Sequence, residues 1–217
     1  MNASKDDAKL EVSRHAGRLF LKHGVAGTSG DDIAEAAGLS KRTVWRYFRN
    51  KESCVEPLFQ ATSLRFIAML RQWPRNVSIE AHLRHCVARE VGDPQHAADG
   101  LLAVQLVAML PEEPALRSAW LMAAQAGEEA LAGVIADRLR RSGDEAEVRL
   151  CAATVMAAIR VVDETVSFAA IKQGRQFSLQ EAIDQQARAI RAACTLPICD
   201  PLADGEALAP TASPPCA

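Results

Sequence analysis

From Val148 to Ala169 the apolar residues Val148, Ala152, Val155, Ile159, Val162, Val166 and Ala169 recur at alternating spacings of four and three. Only an α-helix places such a set on one face, because a strand would send alternate members to opposite sides. The rest of that helix is also poor in charge, since Arg160 is the sole charged residue between 150 and 162. "LLAVQLVAML" (101–110) carries no charge at all. Helices apolar nearly all round are buried on more than one side. Aromatic residues are only 5% of the chain and strand-like β-branched runs are missing, so the fold class expected is all-α. The Val148–Ala169 seam suits another helix, and its periodicity fits a partner in the same monomer as well as one in a second subunit.

Gly, Pro and Asn punctuate the rest into helical segments. The first runs from about Asp7 to His23, with Val12, Ala16, Leu19 and Phe20 on one face and Gly24 closing it. Two short helices follow. Longer ones are expected over Lys51–Trp73, Ser78–Val91, Ala97–Leu110, Pro114–Arg141, Asp144–Gln173 and Ser178–Cys194, about nine in total. Ser178 and Glu181 have capping-box spacing. From Pro197 onward five of the ten prolines mix with Ala, Ser and Gly, so 196–217 reads as a flexible tail with little to bury. At 217 residues and 49% apolar content the chain is long enough to bury a substantial core.

Charge is distributed unevenly. Residues 1–60 carry a net charge of +2, and residues 61–217 carry −4, which points to an anionic partner at one end only. The first twenty residues scatter charges where a signal peptide needs an apolar run. No uncharged stretch approaches the ~20 residues of a bilayer span. A cytoplasmic protein with no membrane association is expected. The six cysteines (54, 86, 151, 194, 199 and 216) contain no CxxC pair and read as free, mostly buried thiols.

The basic residues concentrate in "DDIAEAAGLSKRTVWRYFRNKES" (31–53), where Lys41, Arg42, Arg46, Arg49 and Lys51 surround Trp45 and Tyr47. Ser29 and Asp32 cap one short helix, Gly38 supplies a turn, and Ser40 caps the next. Two short helices joined through such a turn make a helix-turn-helix. In the second helix Val44 and Phe48 face inward with Leu39, which leaves Lys41, Arg42, Trp45, Arg46 and Arg49 facing outward. Lys51 is expected near the amino end of the next helix, where backbone amides also favour phosphate. A solvated helix face explains the charges but not the exposed aromatics or the capped helix–Gly–helix spacing. A cationic helix with amphipathic aromatics fits a DNA major groove, and Arg can bond guanine bidentately.

"TSGDDIAEAAGLSKRTVWRYFRNKE", preceded by "LFLKHGVAGTS", resembles the DNA-binding signature of the tetracycline-repressor (TetR) family of bacterial regulators. The resemblance covers about Val12 to Val55. It implies a three-helix DNA-binding domain over 1–50, followed by a helical ligand-binding and dimerisation domain over 51–195. Thr43, Tyr47 and Lys51 then contact phosphates, Trp45 takes the place usually held by a tyrosine, and Lys41, Arg42 and Arg46 read bases, with Ser29 at the edge of the surface. Arg42 stands where many members have Gly, which adds a contact. Gly30 stands where Val or Met is common and is expected to leave the start of its helix less well packed. The resemblance also implies a homodimer on double-stranded operator DNA, released by a small-molecule effector, with no cofactor. The last two long helices would form the dimer interface, through Val148, Val155, Ile159, Val162, Val166, Ile183 and Ile190.

The ligand surface is less specified. Phe66, Met69, Cys86, Met109, Trp120 and Met122 are the adaptable apolar side chains of the body, and Arg117 or His82 would fix a guest's orientation. His82, His85 and Cys86 share one helical face at a spacing that a metal could use, but no fourth ligand is evident, so no metal is expected. No nucleophile elbow, phosphate loop or HExxH motif appears. The alternatives to a DNA-binding regulator are a helical adaptor or an α-helical enzyme using Glu128, Glu129, Asp163 or Glu164. Those carboxylates read more simply as exposed helix faces.

Overall fold

The computed structural model describes residues 3–89 and 93–202. Among them the chain forms nine α-helices and no strand: α1 (Ala3–His23), α2 (Gly30–Ala36), α3 (Lys41–Tyr47), α4 (Glu56–Arg71), α5 (Ile79–Arg89), α6 (Pro94–Val107), α7 (Pro114–Leu139), α8 (Ala146–Lys172) and α9 (Leu179–Ala193). The expected end of α5 at Val91 lies outside the described residues, as do the tail beyond Leu202 and Cys216.

Local chemistry sets most boundaries. The Ser29 hydroxyl accepts from the Asp32 amide at 3.2 Å, and the Asp32 carboxylate accepts from the Ser29 amide at 2.7 Å, a closed capping box. Gly38 ends α2 in the left-handed region at φ +64, where a side chain is disfavoured. Ser40 caps α3 through the Thr43 amide at 3.2 Å, and Ser178 with Glu181 caps α9 as its spacing predicts. One boundary differs from expectation. Lys51 does not begin α4, because Asn50 and Ser53 bond reciprocally and close a 3-10 turn over Glu52–Val55. The α-helix starts only at Glu56, with Pro57 in its first turn, where a missing amide is harmless.

Two apolar clusters fill the interior. The first joins Val12, Ala16 and Phe20 of α1 to Ile33, Val44, Leu58, Leu106 and Trp120, with α1 packed on α4 and α6, the 3-10 turn on α7, and α2 and α3 joined to the body through α1. The second gathers Ile67, Leu83, Ile135, Val155 and Ile190 with their neighbours from α4, α5, α7, α8 and α9. The α8 seam is spent here. Val148, Val155 and Ile159 are buried within the monomer, together with Ile183 and Ile190 of α9, while Val162 and Val166 are half-buried. These residues were expected at a subunit interface. Val148, Val155, Ile159, Ile183 and Ile190 lie in the core instead, because α8 packs that part of its seam against α7 and α9 of its own chain. The apolar residues that α8 leaves outside are Leu150, Val161, Phe168 and Ile171.

The segment after α9 is also not the loose tail its composition suggests, at least as far as Leu202. Ile198 and Cys199 are buried, and the Cys199 carbonyl accepts from the Ile79 amide at 2.9 Å. The reason is Arg138, whose guanidinium is buried at the end of α7 and lies 3.6 Å over the Trp73 ring. It donates to the carbonyls of Ile198 (2.7 Å), Pro74 (2.9 Å), Val77 (3.0 Å) and Asp200 (3.2 Å). Desolvation pulls its pKa down to about 10, so it stays charged at neutral pH. One buried cation thus collects carbonyls from two loops that are also joined by backbone bonds from Ile79 to Cys199 and from Leu202 to Arg75. Arg138→Ala should lower unfolding free energy by about 3 kcal/mol or more, since several buried carbonyls lose their donor at once. Urea denaturation followed by circular dichroism measures this, and a loss below about 1 kcal/mol would show the carbonyls satisfied by water.

Candidate nucleic-acid interface and buried cavity

Helix α3 is held by what it buries. Val44 and Phe48 are buried in the N-terminal apolar cluster, and Lys41, Arg42, Trp45 and Arg46 face solvent. Trp45 is 38% exposed although it is a large apolar ring, and its inner edge lies against the backbone of Gly30. A Cβ at position 30 would stand 2.0 Å from the Trp45 ring. Gly30 therefore does not leave α2 loosely packed, as expected from sequence: the indole occupies the space that a larger residue would fill. Glycine at 30 and tryptophan at 45 are a matched pair.

The cations differ in how free they are. Lys41 pairs with Asp31 at 2.6 Å and Arg49 pairs with Glu56, both at the surface. Arg46 stacks 5.2 Å from the Tyr47 ring centroid and donates weakly to its hydroxyl at 3.4 Å. No ion pair to Arg42 occurs among the described residues. The Thr43 hydroxyl shares a hydrogen bond with Ser40 at 2.9 Å, and Ser29 is engaged in its capping box. Lys51 departs most from expectation. Its ammonium donates to the Val25 carbonyl at 2.6 Å and to that of Thr28 at 2.9 Å, pinning the turn that leads into α2. Two of its three donors are committed to the protein itself.

A second feature lies in the body. A cavity of about 280 Å³ opens between α4, α6, α7, α8 and α9. Phe59, Phe66, Val104, Val107, Trp120 and Met156 give it apolar walls. Of the residues expected to bind a guest, Phe66 and Trp120 line it and the others do not. Met122 is exposed on the outer face of α7, and Met109 packs against the N-terminal cluster. Arg117 is bound bidentately to Glu164 at 2.7 and 3.0 Å. The Met69 carbonyl lies 2.9 Å from His82 Nε2, and the imidazole stacks on Trp73, with Cys86 beside it. Among the described residues no group of three or more side chains is arranged to hold a metal.

Sequence reasoning missed the polar end of the cavity. Asp163 of α8, read as an exposed carboxylate, lines the cavity with Gln186 of α9 and Arg160. Gln186 Nε2 donates to Asp163 Oδ1 at 2.7 Å, while Gln186 Oε1 is buried and has no partner. The Asp163 carboxyl is open to the cavity but walled by protein. Desolvation pushes its pKa up to about 7, although the bond from Gln186 opposes the rise. No periodicity could reveal this pair, because its members sit on different helices. Asp163→Asn tests the electrostatics and keeps an acceptor for Gln186. The native carboxyl holds a proton between about pH 4 and 7 that the unfolded chain gives up, so wild-type stability falls as pH rises through that window. The variant should gain on wild type by up to about 1.4 kcal/mol per pH unit there. Parallel pH–stability curves from urea melts would place the carboxyl in water.

The comparisons with known proteins fall on the same two regions. Residues 14–58 match the family described as bacterial regulatory proteins, tetR family, and residues 77–195 match the MftR C-terminal domain. The chain belongs to the TetR family of bacterial regulatory proteins. It is 27% identical over 132 residues to the HTH-type transcriptional regulator TcmR of Streptomyces glaucescens, covering 59% of this chain and 58% of that one. A 42-residue stretch is 45% identical to MftR of Mycobacterium tuberculosis, a candidate regulator of mycofactocin biosynthesis, covering 19% of this chain and 21% of that one. The chain therefore spans less than two thirds of either relative. Two solved structures are similar over 86% of the chain. A TetR-family regulator from Mesorhizobium loti has 94% of its own length covered, 19% identity and a TM-score of 0.48. FadR of Bacillus subtilis, solved with stearoyl-CoA, has 97% covered, 13% identity and a TM-score of 0.47.

Proposed function

We propose that this chain is a homodimeric transcriptional repressor that binds double-stranded operator DNA through α3 and is released by a mostly apolar small molecule in the body cavity. The observation that carries the reading is the outward face of α3. Lys41, Arg42, Trp45 and Arg46 project together from a helix anchored by Val44 and Phe48. A seven-residue helix anchored on its back can enter a major groove with its cations against phosphates and guanine edges. The surface ion pairs of Lys41 and Arg49 are no obstacle, because exposed pairs contribute only about 0–1 kcal/mol and phosphate can replace the carboxylate. Lys51 serves this face indirectly, by holding the α1–α2 turn in place.

Release follows from the position of α6. Gly100, Ala103, Val104 and Val107 face the cavity, while Asp99, Leu102 and Leu106 face α1. A guest that shifts α6 moves the helix on which the DNA-binding unit rests, and only a guest with different affinities for the two positions can do so. About 280 Å³ admits a compact, largely hydrocarbon molecule. The orphan Gln186 Oε1 and the Asp163 carboxyl, rather than Arg117 or His82, are the groups able to orient it.

The DNA reading is tested by fluorescence anisotropy on the promoter region flanking the protein's own gene, across a salt series. Wild type should show a steep fall of log K with log salt, each neutralised phosphate adding about 0.9 to the slope. Arg42→Glu and Arg46→Glu should each weaken binding by about 1–3 kcal/mol with melting temperature nearly unchanged. Binding indifferent to both substitutions would remove α3 from the interface.

Dimerisation is assigned to the outer face of α8, since the seam is consumed in the core. Leu150, Val161 and Phe168 stand 57%, 63% and 36% exposed along that face, and a second copy of the chain would cover them. Val161→Arg should turn a dimer into a monomer at micromolar concentration in analytical ultracentrifugation while leaving helicity intact. A variant that remains dimeric would move the interface off this face.

A further inference from the structure

Three cysteines scattered in the sequence meet at the end of α9. Cys194 is the C-cap of that helix, Cys199 lies in the following segment, and Cys151 comes from α8. The Cys194 and Cys199 sulfurs are 3.1 Å apart, closer than unbonded thiols normally approach. Cys151 faces the same Cys194 thiol, and the amide and hydroxyl of Thr195 and the amide of Leu196 also point at its sulfur. We propose that Cys151, Cys194 and Cys199 form an oxidation site at which a peroxide converts the thiols to an intramolecular disulfide at Cys194. The assignment is independent of DNA and effector binding.

The arrangement separates attacker from resolver. Hydrogen bonds, that from Cys194 foremost, lower the Cys151 thiol despite desolvation, which favours its thiolate. Cys199 is lowered too, again chiefly by Cys194, while Cys194, which serves both neighbours, is raised and keeps its proton. The Cys151 thiolate attacks one peroxide oxygen, the O–O bond breaks, and the departing hydroxide takes a proton from solvent to become water. The Cys194 sulfur then displaces the oxygen of the Cys151 sulfenic acid. An S–S bond forms, the S–O bond breaks, and the oxygen leaves as a second water with the Cys194 proton. The Cys199 thiolate can next attack the Cys194 sulfur and expel Cys151 as thiolate, which moves the bridge to the Cys194–Cys199 pair. In total two thiols are oxidised and one peroxide is reduced to two waters. Cys54, also buried, shows the contrast: with no such donors around it, desolvation pushes its thiol up to about 12.

Closing the bridge draws the Cys194 and Cys199 sulfurs from 3.1 Å to about 2.05 Å. Cys199 belongs to the segment whose carbonyls hold the Ile79 amide and the Arg138 guanidinium, so the bridge ties that segment to α9.

The full-length protein is treated with hydrogen peroxide, quenched with iodoacetamide and followed by intact mass and peptide mapping. The expected result is an intact mass about 2 Da lower before alkylation and two fewer alkylated cysteines than the reduced control afterwards, both reversed by dithiothreitol, with Cys194 bridged to Cys199 or Cys151 in the peptide map. Cys194→Ser should remove the crosslink and slow thiol loss at this cluster at least tenfold, and Cys54→Ser should change neither. Cys194→Ala, checked for wild-type helicity, guards against a local effect of serine. Sulfinic or sulfonic acid without a disulfide, a crosslink that omits Cys194, or unchanged kinetics in both Cys194 variants would overturn the assignment.

Discussion

The carboxylate of Asp99 is the buried junction at which α1, α4 and α6 meet. It is 1% exposed, yet it accepts from Arg14 Nε at 2.8 Å and Nη2 at 2.9 Å, from Gln95 Nε2 at 2.9 Å and from Arg65 Nη1 at 3.3 Å. Arg14 belongs to α1, Arg65 to α4 and Asp99 to α6, so one buried anion ties the first N-terminal helix to two body helices. Desolvation alone would raise its pKa, but the donors overcome it and hold the group at about 2. Such a cluster adds little net stability over apolar packing, while losing one partner is expensive. Its value lies in geometry, because a bidentate Arg–carboxylate pair fixes direction as well as distance. Beside it Gly17 lets α1 approach α6 closely: a Cβ there would meet Leu106 at 3.1 Å and Leu102 at 3.2 Å.

What the sequence disclosed depended on how far each signal reached. Capping at Ser29, Ser40 and Ser178 is local, so those helix starts were readable, and Val44 with Phe48 at i,i+4 was enough to orient α3. The α8 periodicity correctly indicated a seam, but period says nothing of which helix fills it, and the core claimed it before any partner could. Asp163 and Gln186 were invisible for a similar reason. Each looks like an ordinary polar position on its own helix, and only the packing of α8 on α9 turns them into the polar end of a cavity. Up to Leu202 the segment after α9 misled through composition: its prolines suggested looseness, whereas Ile198, Cys199 and the carbonyls that Arg138 collects decide the order of that stretch. Gly30 and Trp45 could be understood only together, across the turn that separates them.

Helix α6 is where these observations converge. It is short, and it is lined on one side by Asp99, Leu102 and Leu106 toward α1 and on the other by Gly100, Ala103, Val104 and Val107 toward the cavity. Small residues on the cavity side mean that α6 has little of its own bulk there, so the proposed guest would meet the helix close to its backbone and act on the whole element rather than on a side chain. On the opposite side the contacts are a fixed ion cluster and a glycine-level approach, neither of which deforms gradually. Close-packed interfaces of this kind shift between discrete arrangements instead of yielding continuously. The coupling needed is small: a tenfold change in DNA affinity corresponds to about 1.4 kcal/mol, less than the difference between a satisfied and a broken Arg14–Asp99 pair. By linkage the same 1.4 kcal/mol must appear in the guest's own affinity for the DNA-bound form. In the proposed mechanism the cavity and α3 are two ends of one mechanical element, and Asp99 is the joint through which a movement of α6 would reach α1.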